Sequence, residues 1–214
     1  GVKRNIIRDL TALDARVTVL PYGASRDEIL AEQPDAVVIS PGPGDPRDLG
    51  DTVETLRGLL GEKPLFGVCL GHQLLALACG AQTYKLKYGH RGGNQPVKDL
   101  VHDEVIVTAH NHGYAVANDT LPAHLEATMV NLNDGTNEGF RHRTLTVEAV
   151  QFHPEASPDR STRATSSRAG STASSEPGPS RRRARGARAA DGSGRCGELA
   201  NAARRRAVDA RRRA

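Results

Sequence analysis

The chain has 214 residues, a formal net charge of +4, three cysteines and no tryptophan. No apolar run is long enough to span a membrane and no N-terminal signal pattern is present. Three cysteines without paired spacing exclude a disulfide scaffold, so a reducing, cytoplasmic setting is expected.

In chain order, Ile6, Ile7, Leu10 and Leu13 form a helical apolar stripe. Residues 16–20 read as a strand. Ser25 and Glu28 have the spacing of a capping box, which opens a helix. Residues 36–40 form an apolar strand that runs into Ser40-Pro41-Gly42-Pro43-Gly44-Asp45-Pro46. Glycine and proline at that density make a rigid, exposed turn. No Gly-Lys-Ser/Thr closes it, so it is not a nucleotide P-loop. Its backbone N–H groups suit a developing oxyanion instead, with Gly42 and the amide of Leu70 as the donor pair.

A helix is expected near 51–60, then a strand at 64–68 that delivers Cys69 into a helix reaching Gly80. Gly67 and Gly71 flank the cysteine and remove side chains that would crowd a sharp strand-to-helix turn, as in a nucleophile elbow. A sulfur at a helix N-terminus feels the positive end of the dipole, which favours thiolate. Later segments, 104–108, 124–131 and 144–152, are rich in strand formers, with a turn at Asn133-Asp134-Gly135. The last runs into His153-Pro154-Glu155. Pro154 ends the strand there. A carboxylate two residues on can fix the imidazole tautomer, leaving the other ring nitrogen to accept a thiol proton.

Strands alternating with helices predict an α/β fold, a mainly parallel sheet with helices on both faces, plus a small strand-rich portion. In open sheets of this kind the site lies beyond the carboxyl ends of the strands. Gly42, Cys69 and His153 all fall at expected strand ends.

Other reactive residues read more plainly. His110 and His112 lie two apart and could be metal ligands, but no cysteine or acid completes a credible set, so no metal site is expected. Cys79 reads as helix packing. Cys196 lies in the tail. Residues 160–214 carry 15 arginines against four acids, net +11, which leaves −7 for residues 1–159. The basic balance therefore belongs to the tail. That segment is poor in large apolar residues and is expected to be disordered. Its arginines lack interleaved aromatics for base stacking, so nucleic acid is not expected as a partner.

Gly67-Val68-Cys69-Leu70-Gly71-His72-Gln73, Pro41-Gly42-Pro43-Gly44-Asp45-Pro46 and His153-Pro154-Glu155-Ala156-Ser157-Pro158 resemble the class I glutamine amidotransferases, whose fold is flavodoxin-like. Within them, the segments 85–97, 111–116 and 131–139 are similar to the small subunits of carbamoyl-phosphate synthase. The resemblance covers 1–158, leaving 159–214 as a tail that fits a shifted reading frame better than a genuine basic arm. Residues 1–5 read as the end of a longer sequence.

The resemblance implies a glutaminase with Cys69 as nucleophile, His153 as base and Glu155 as its orienting acid. It further implies that Gly42, Gly44, Leu70 and Gln73 bind glutamine or its oxyanion. Asn111, Gly113 and Tyr114 would hold the substrate's α-amino and α-carboxylate groups. His110 stands where the family commonly has glutamine. The expected partners are L-glutamine and a large synthetase subunit, in a heterodimer or larger assembly serving arginine and pyrimidine synthesis. No cofactor is expected in this chain; ATP and magnesium belong to the large subunit. Two other readings stand beside this one. One is the amidotransferase component of another synthetase, such as anthranilate or GMP synthase. The other is an inactive truncated product with a basic interaction tail.

Overall fold

A computed structural model describes residues 2–156. The expectations for the arginine-rich tail, Cys196 and Ser157-Pro158 lie outside those residues.

Four α-helices and seven strands follow one another along the described chain. Helix α1 (Arg4–Ala12) buries Ile6 from the expected stripe. Helix α2 (Arg26–Ala31) begins with the capping box: the Ser25 hydroxyl accepts from the Glu28 N–H, and the Glu28 carboxylate accepts from the Ser25 N–H at 2.7 Å. Then come β1 (Val37–Ile39), α3 (Gly50–Leu59), β2 (Leu65–Val68) and α4 (Leu70–Ala78). Strands β3 (Thr83–Asp99), β4 (Glu104–Val116), β5 (Leu125–Asn131), β6 (Asn137–His142) and β7 (Val147–Val150) complete the order.

The strands form one sheet in the order β1-β2-β7-β6-β5-β3-β4. Strands β1, β2 and β7 run parallel, and every pairing from β7 outward is antiparallel. The sheet is therefore mixed, with a larger antiparallel share than expected. The reason lies in the connections: parallel neighbours need a long crossover, usually a helix, whereas hairpins make antiparallel pairs. From residue 79 to 156 the chain holds no α-helix among the described residues, so its strands turn back on one another.

Residues 16–20, expected as a strand, are not one. The apolar alternation is there, but a strand also needs a neighbour to exchange backbone hydrogen bonds with. None runs alongside among the described residues, and Val19 is left more than half exposed.

The main core lies between the sheet and helices α3 and α4. Val53, Leu56 and Leu59 of α3 meet Leu70, Leu74 and Leu75 of α4 above Leu65, Val147, Ala149 and Phe140. Each fully buried leucine contributes roughly 1.5–3 kcal/mol. A smaller cluster of Val97, Ile106, Met129, Val150 and Phe152 packs with Phe66. Leu65 and Phe66 serve different clusters because successive side chains of a strand point to opposite faces.

The β3–β4 hairpin is long and bent. Its turn is closed by the buried Asp99, whose carboxylate accepts from the N–H groups of Val101 (2.8 Å) and His102 (3.0 Å). The ladder slips between Lys85 and His90 and again between Gly92 and Gln95. Gly89 sits in the first slip with φ +71°, and a Cβ there would meet the His112 carbonyl oxygen at 2.5 Å. Only glycine allows both that backbone conformation and that approach. The bend returns β4 to the far end of the sheet: Gln73 on α4 donates to the Tyr114 carbonyl at 2.8 Å, and the His153 N–H donates to the Ala109 carbonyl at 2.9 Å.

Candidate active site

Three adjacent parallel strands end at one edge of the molecule. Beyond β1 lies the loop at 40–46, beyond β2 lies Cys69, and beyond β7 the chain reaches His153. The Cys69 N–H still donates to the Val150 carbonyl at 2.9 Å, so the cysteine is the last rung before the chain turns into α4. There its backbone adopts φ 55°, ψ −104°, far from the small left-handed region open to L-residues. Strain of this kind persists only where the surroundings over-determine it, and it clusters at functional sites. The surroundings here are backbone packed on backbone. A Cβ on Gly67 would lie 2.5 Å from the Gly71 carbonyl oxygen, and one on Gly71 would lie 2.2 Å from that of Ile39. Both glycines are thus required by crowding at the turn, as their places in the sequence implied.

The 40–46 loop packs on the same turn. A Cβ on Gly42 would strike the Leu70 side chain at 2.6 Å, so loop and elbow are in direct contact. Asp45 anchors the loop through Arg47 at 2.6 Å. That guanidinium, with help from the Tyr114 hydroxyl, holds the Asp45 carboxyl at about 2. Tyr114 thereby joins β4 to the loop. Gly44 takes φ +100° within it.

His153 and Glu155 are both buried, with imidazole Nδ1 2.8 Å from carboxylate Oε1. Burial alone would raise the Glu155 carboxyl, but its hydrogen bond with His153 and the nearby Lys3 bring it below the usual carboxylate range. Lys3 was not anticipated from the sequence. Its ammonium lies 3.4 Å from Glu155 Oε1 and 3.3 Å from His153 Nδ1. A lone lysine before a short helix carries no motif that would have singled it out.

The thiol departs from expectation. Burial pushes Cys69 up to about 11, against the opposing pull of the Leu70 N–H and the Lys3 charge. The helix terminus acts in the expected direction but does not outweigh desolvation, so the free chain keeps Cys69 as a thiol. Cys79, expected to be packing, is buried in the main core and is likewise raised to about 11.

Gln73 is buried, and its side-chain amide also donates to Gln151 Oε1 at 2.9 Å. Gln151 is in turn 3.2 Å from His72 Nδ1, forming a polar layer under α4. Asn111 is exposed on β4, while Gly113 and Tyr114 are half-buried. The residues named from sequence thus come from the 40–46 loop, the β2–α4 elbow, the end of β7 and the returning strand β4.

A second polar cluster lies beside them. His110 and His112 are joined by His90 from β3 and by Glu138 from β6, so the expectation that no acid accompanies the two histidines is corrected. The acid is 26 residues beyond His112 in the chain, and only the sheet brings the two together.

The chain belongs to the glutamine amidotransferase class-I family, whose sequence model matches residues 1–168. Within that family it is similar to proteins named carbamoyl phosphate synthase small chain. It is 54% identical over 159 residues to that of Bacillus caldolyticus and 52% identical over 158 residues to that of Methanocaldococcus jannaschii. Each match covers 74% of this chain but only 44% and 45% of the relatives, so the chain spans less than half of their length. Among solved structures, it resembles a putative GMP synthase component from Thermoplasma acidophilum. That match has a TM-score of 0.62 at 25% identity and covers 72% of this chain and 80% of the other.

Proposed function

We propose that residues 1–158 form a glutaminase that releases ammonia for carbamoyl phosphate synthesis by a separate large subunit. The observation that carries this reading is the pairing of a strained cysteine elbow on β2 with a buried His153–Glu155 couple at the end of the neighbouring parallel strand β7.

In this reading the Cys69 sulfur attacks the carboxamide carbon of glutamine as its proton passes to His153. The buried thiol makes that transfer part of the step rather than a prior ionisation. The N–H groups of Gly42 and Leu70 receive the oxyanion. His153 returns the proton to the departing nitrogen, ammonia leaves, and a γ-glutamyl thioester remains. His153 then takes a proton from water, the hydroxide adds to the thioester carbon, and glutamate departs as the proton returns to sulfur. Glu155 holds the imidazole in one tautomer throughout. Gly44, Gln73, Asn111, Gly113 and Tyr114 position the substrate. ATP and magnesium act in the large subunit, which takes up the ammonia.

The setting follows from the same reading: a cytoplasmic biosynthetic complex. No helix among the described residues is long and apolar enough to cross a membrane. Identity of 52–54% to the small chains, against 25% to the GMP synthase component, favours this partner over the other synthetases.

The test is mass spectrometry of the full chain after exposure to a glutamine-mimicking diazoketone, with free glutamine as competitor. Labelling of Cys69 that glutamine suppresses is expected. Equal labelling of Cys69 and Cys79, or no protection, overturns the reading.

A further inference from the structure

The geometry points to a zinc-type divalent metal site formed by His90, His110, His112 and Glu138, which we propose as a structural clamp of β3 and β4 onto β6. The ligand atoms of these four residues all lie within 4.8 Å of one another.

Three of their spacings, two of them to different oxygens of the Glu138 carboxylate, lie near those of a tetrahedral ion. Metal–ligand bonds of about 2.0–2.2 Å place the donor atoms of a tetrahedron about 3.3–3.6 Å apart. His110 Nδ1 and His112 Nε2 are 3.1 Å apart, His90 Nδ1 and Glu138 Oε1 3.4 Å, and His110 Nδ1 and Glu138 Oε2 3.6 Å. Backbone geometry explains the convergence. His110 and His112 are two apart on β4 and share a face, and His90 stands opposite His112 across the ladder.

The outer atoms are engaged in the manner of metal-bound imidazoles, which commonly direct the second nitrogen to a carboxylate, carbonyl or other polar group. His90 Nε2 is 2.8 Å from Asp134 Oδ2, His110 Nε2 is 2.7 Å from Thr108 Oγ1, and His112 Nδ1 is 2.9 Å from the Tyr114 carbonyl. Glu138 Oε1 accepts from Asn131 at 3.1 Å. The atoms facing inward are not satisfied in the same way. His90 Nδ1 and Glu138 Oε2 are buried and make only the ion-pair approaches of 3.4 and 3.6 Å, with no hydrogen bond among the described residues, and Glu138 is 0% exposed. A buried carboxylate oxygen with no donor is costly unless a cation meets it. Three imidazoles and one carboxylate are a donor set that suits zinc, with cobalt as its spectroscopic substitute. The bare alternative is an ion pair of protonated His90 with Glu138 and Asp134.

The full chain, stripped with a chelator, is titrated with Zn²⁺ by calorimetry and with Co²⁺ by absorption. One ion per chain is expected, with a tetrahedral cobalt spectrum lacking the thiolate charge-transfer band that Cys69, Cys79 or Cys196 would produce. Zn²⁺ should raise the melting temperature. His110→Gln and Glu138→Gln should each abolish these responses, and Asp134→Asn, acting through His90, should weaken affinity by about 10–100-fold. Metal-free circular dichroism checks that each variant folds; if Glu138→Gln does not, His110→Gln decides. No saturable binding, binding that survives His110→Gln, or a thiolate band overturns the proposal.

Discussion

The two ends of the sheet place their polar residues by different means. At the parallel end, β1, β2 and β7 each deliver one candidate site segment at a strand terminus, and each segment is a short contiguous motif. At the antiparallel end, the bent β3–β4 hairpin and β6 assemble His90, His110, His112 and Glu138 from three strands, and no single contiguous segment holds the set. The contrast shows why one was read from the sequence and the other was not. A strand-to-helix turn confines its chemistry to neighbouring residues, whereas a ladder matches residues whose separation depends on hairpin length and on every bulge between them.

Substitutions at each end put that contrast to experiment. The largest expected effect is on catalysis. Cys69→Ser should reduce glutamine hydrolysis by about 10³-fold or more, since in the proposed mechanism the sulfur forms the bond to substrate. Zinc binding at the neighbouring histidine cluster should be unchanged; calorimetry on the same protein would show whether the two regions are separable. A residual rate near that of the parent chain would remove Cys69 from the mechanism.

Next is the elbow itself. Gly71→Ala places a methyl group 2.2 Å from the Ile39 carbonyl oxygen, a backbone atom that cannot swing away. A loss of about 3 kcal/mol or more in urea unfolding is expected, at the upper end of overpacking costs. An unchanged midpoint would mean that the turn is looser than the contacts indicate.

The thiols give a pH test of intermediate size. Burial holds both Cys69 and Cys79 up at about 11, so both are protonated at neutral pH. Because the thiolate is the reactive form, alkylation by iodoacetamide should be slow at neutrality and rise about tenfold per pH unit toward that value. The two cysteines should behave alike toward this small reagent yet differ toward the glutamine-mimicking diazoketone. A Cys69 rate that levels off near neutral pH would restore the standing thiolate expected from the helix terminus.

The smallest effect belongs to a feature remote from both regions. Ser25→Ala removes the acceptor of the Glu28 N–H and should cost about 1 kcal/mol in thermal or urea unfolding. Activity and zinc affinity should not move.

The sequence was most legible where one short segment carried its whole reason. The Ser25–Glu28 box, Gly67 against the Gly71 carbonyl and the His153-Pro154-Glu155 terminus each act through atoms a few residues apart, and the structure shows the contacts they implied. Residues 16–20 misled because alternation describes a strand's side chains and not its partner. The Cys69 thiol misled for a related reason: the helix dipole is a local property, but desolvation is set by everything packed around the sulfur.

From its own order of residues this chain specified its class, its cysteine elbow, its proline-ended histidine and the strand ends on which they stand. Only the closed fold made most of the sheet antiparallel, set Lys3 beside Glu155, kept the thiol protonated and brought Glu138 to a histidine cluster. The physical reason is range. Turn sterics and capping act within a few residues, whereas burial, ion pairing and ladder register depend on segments brought together only when the core closes.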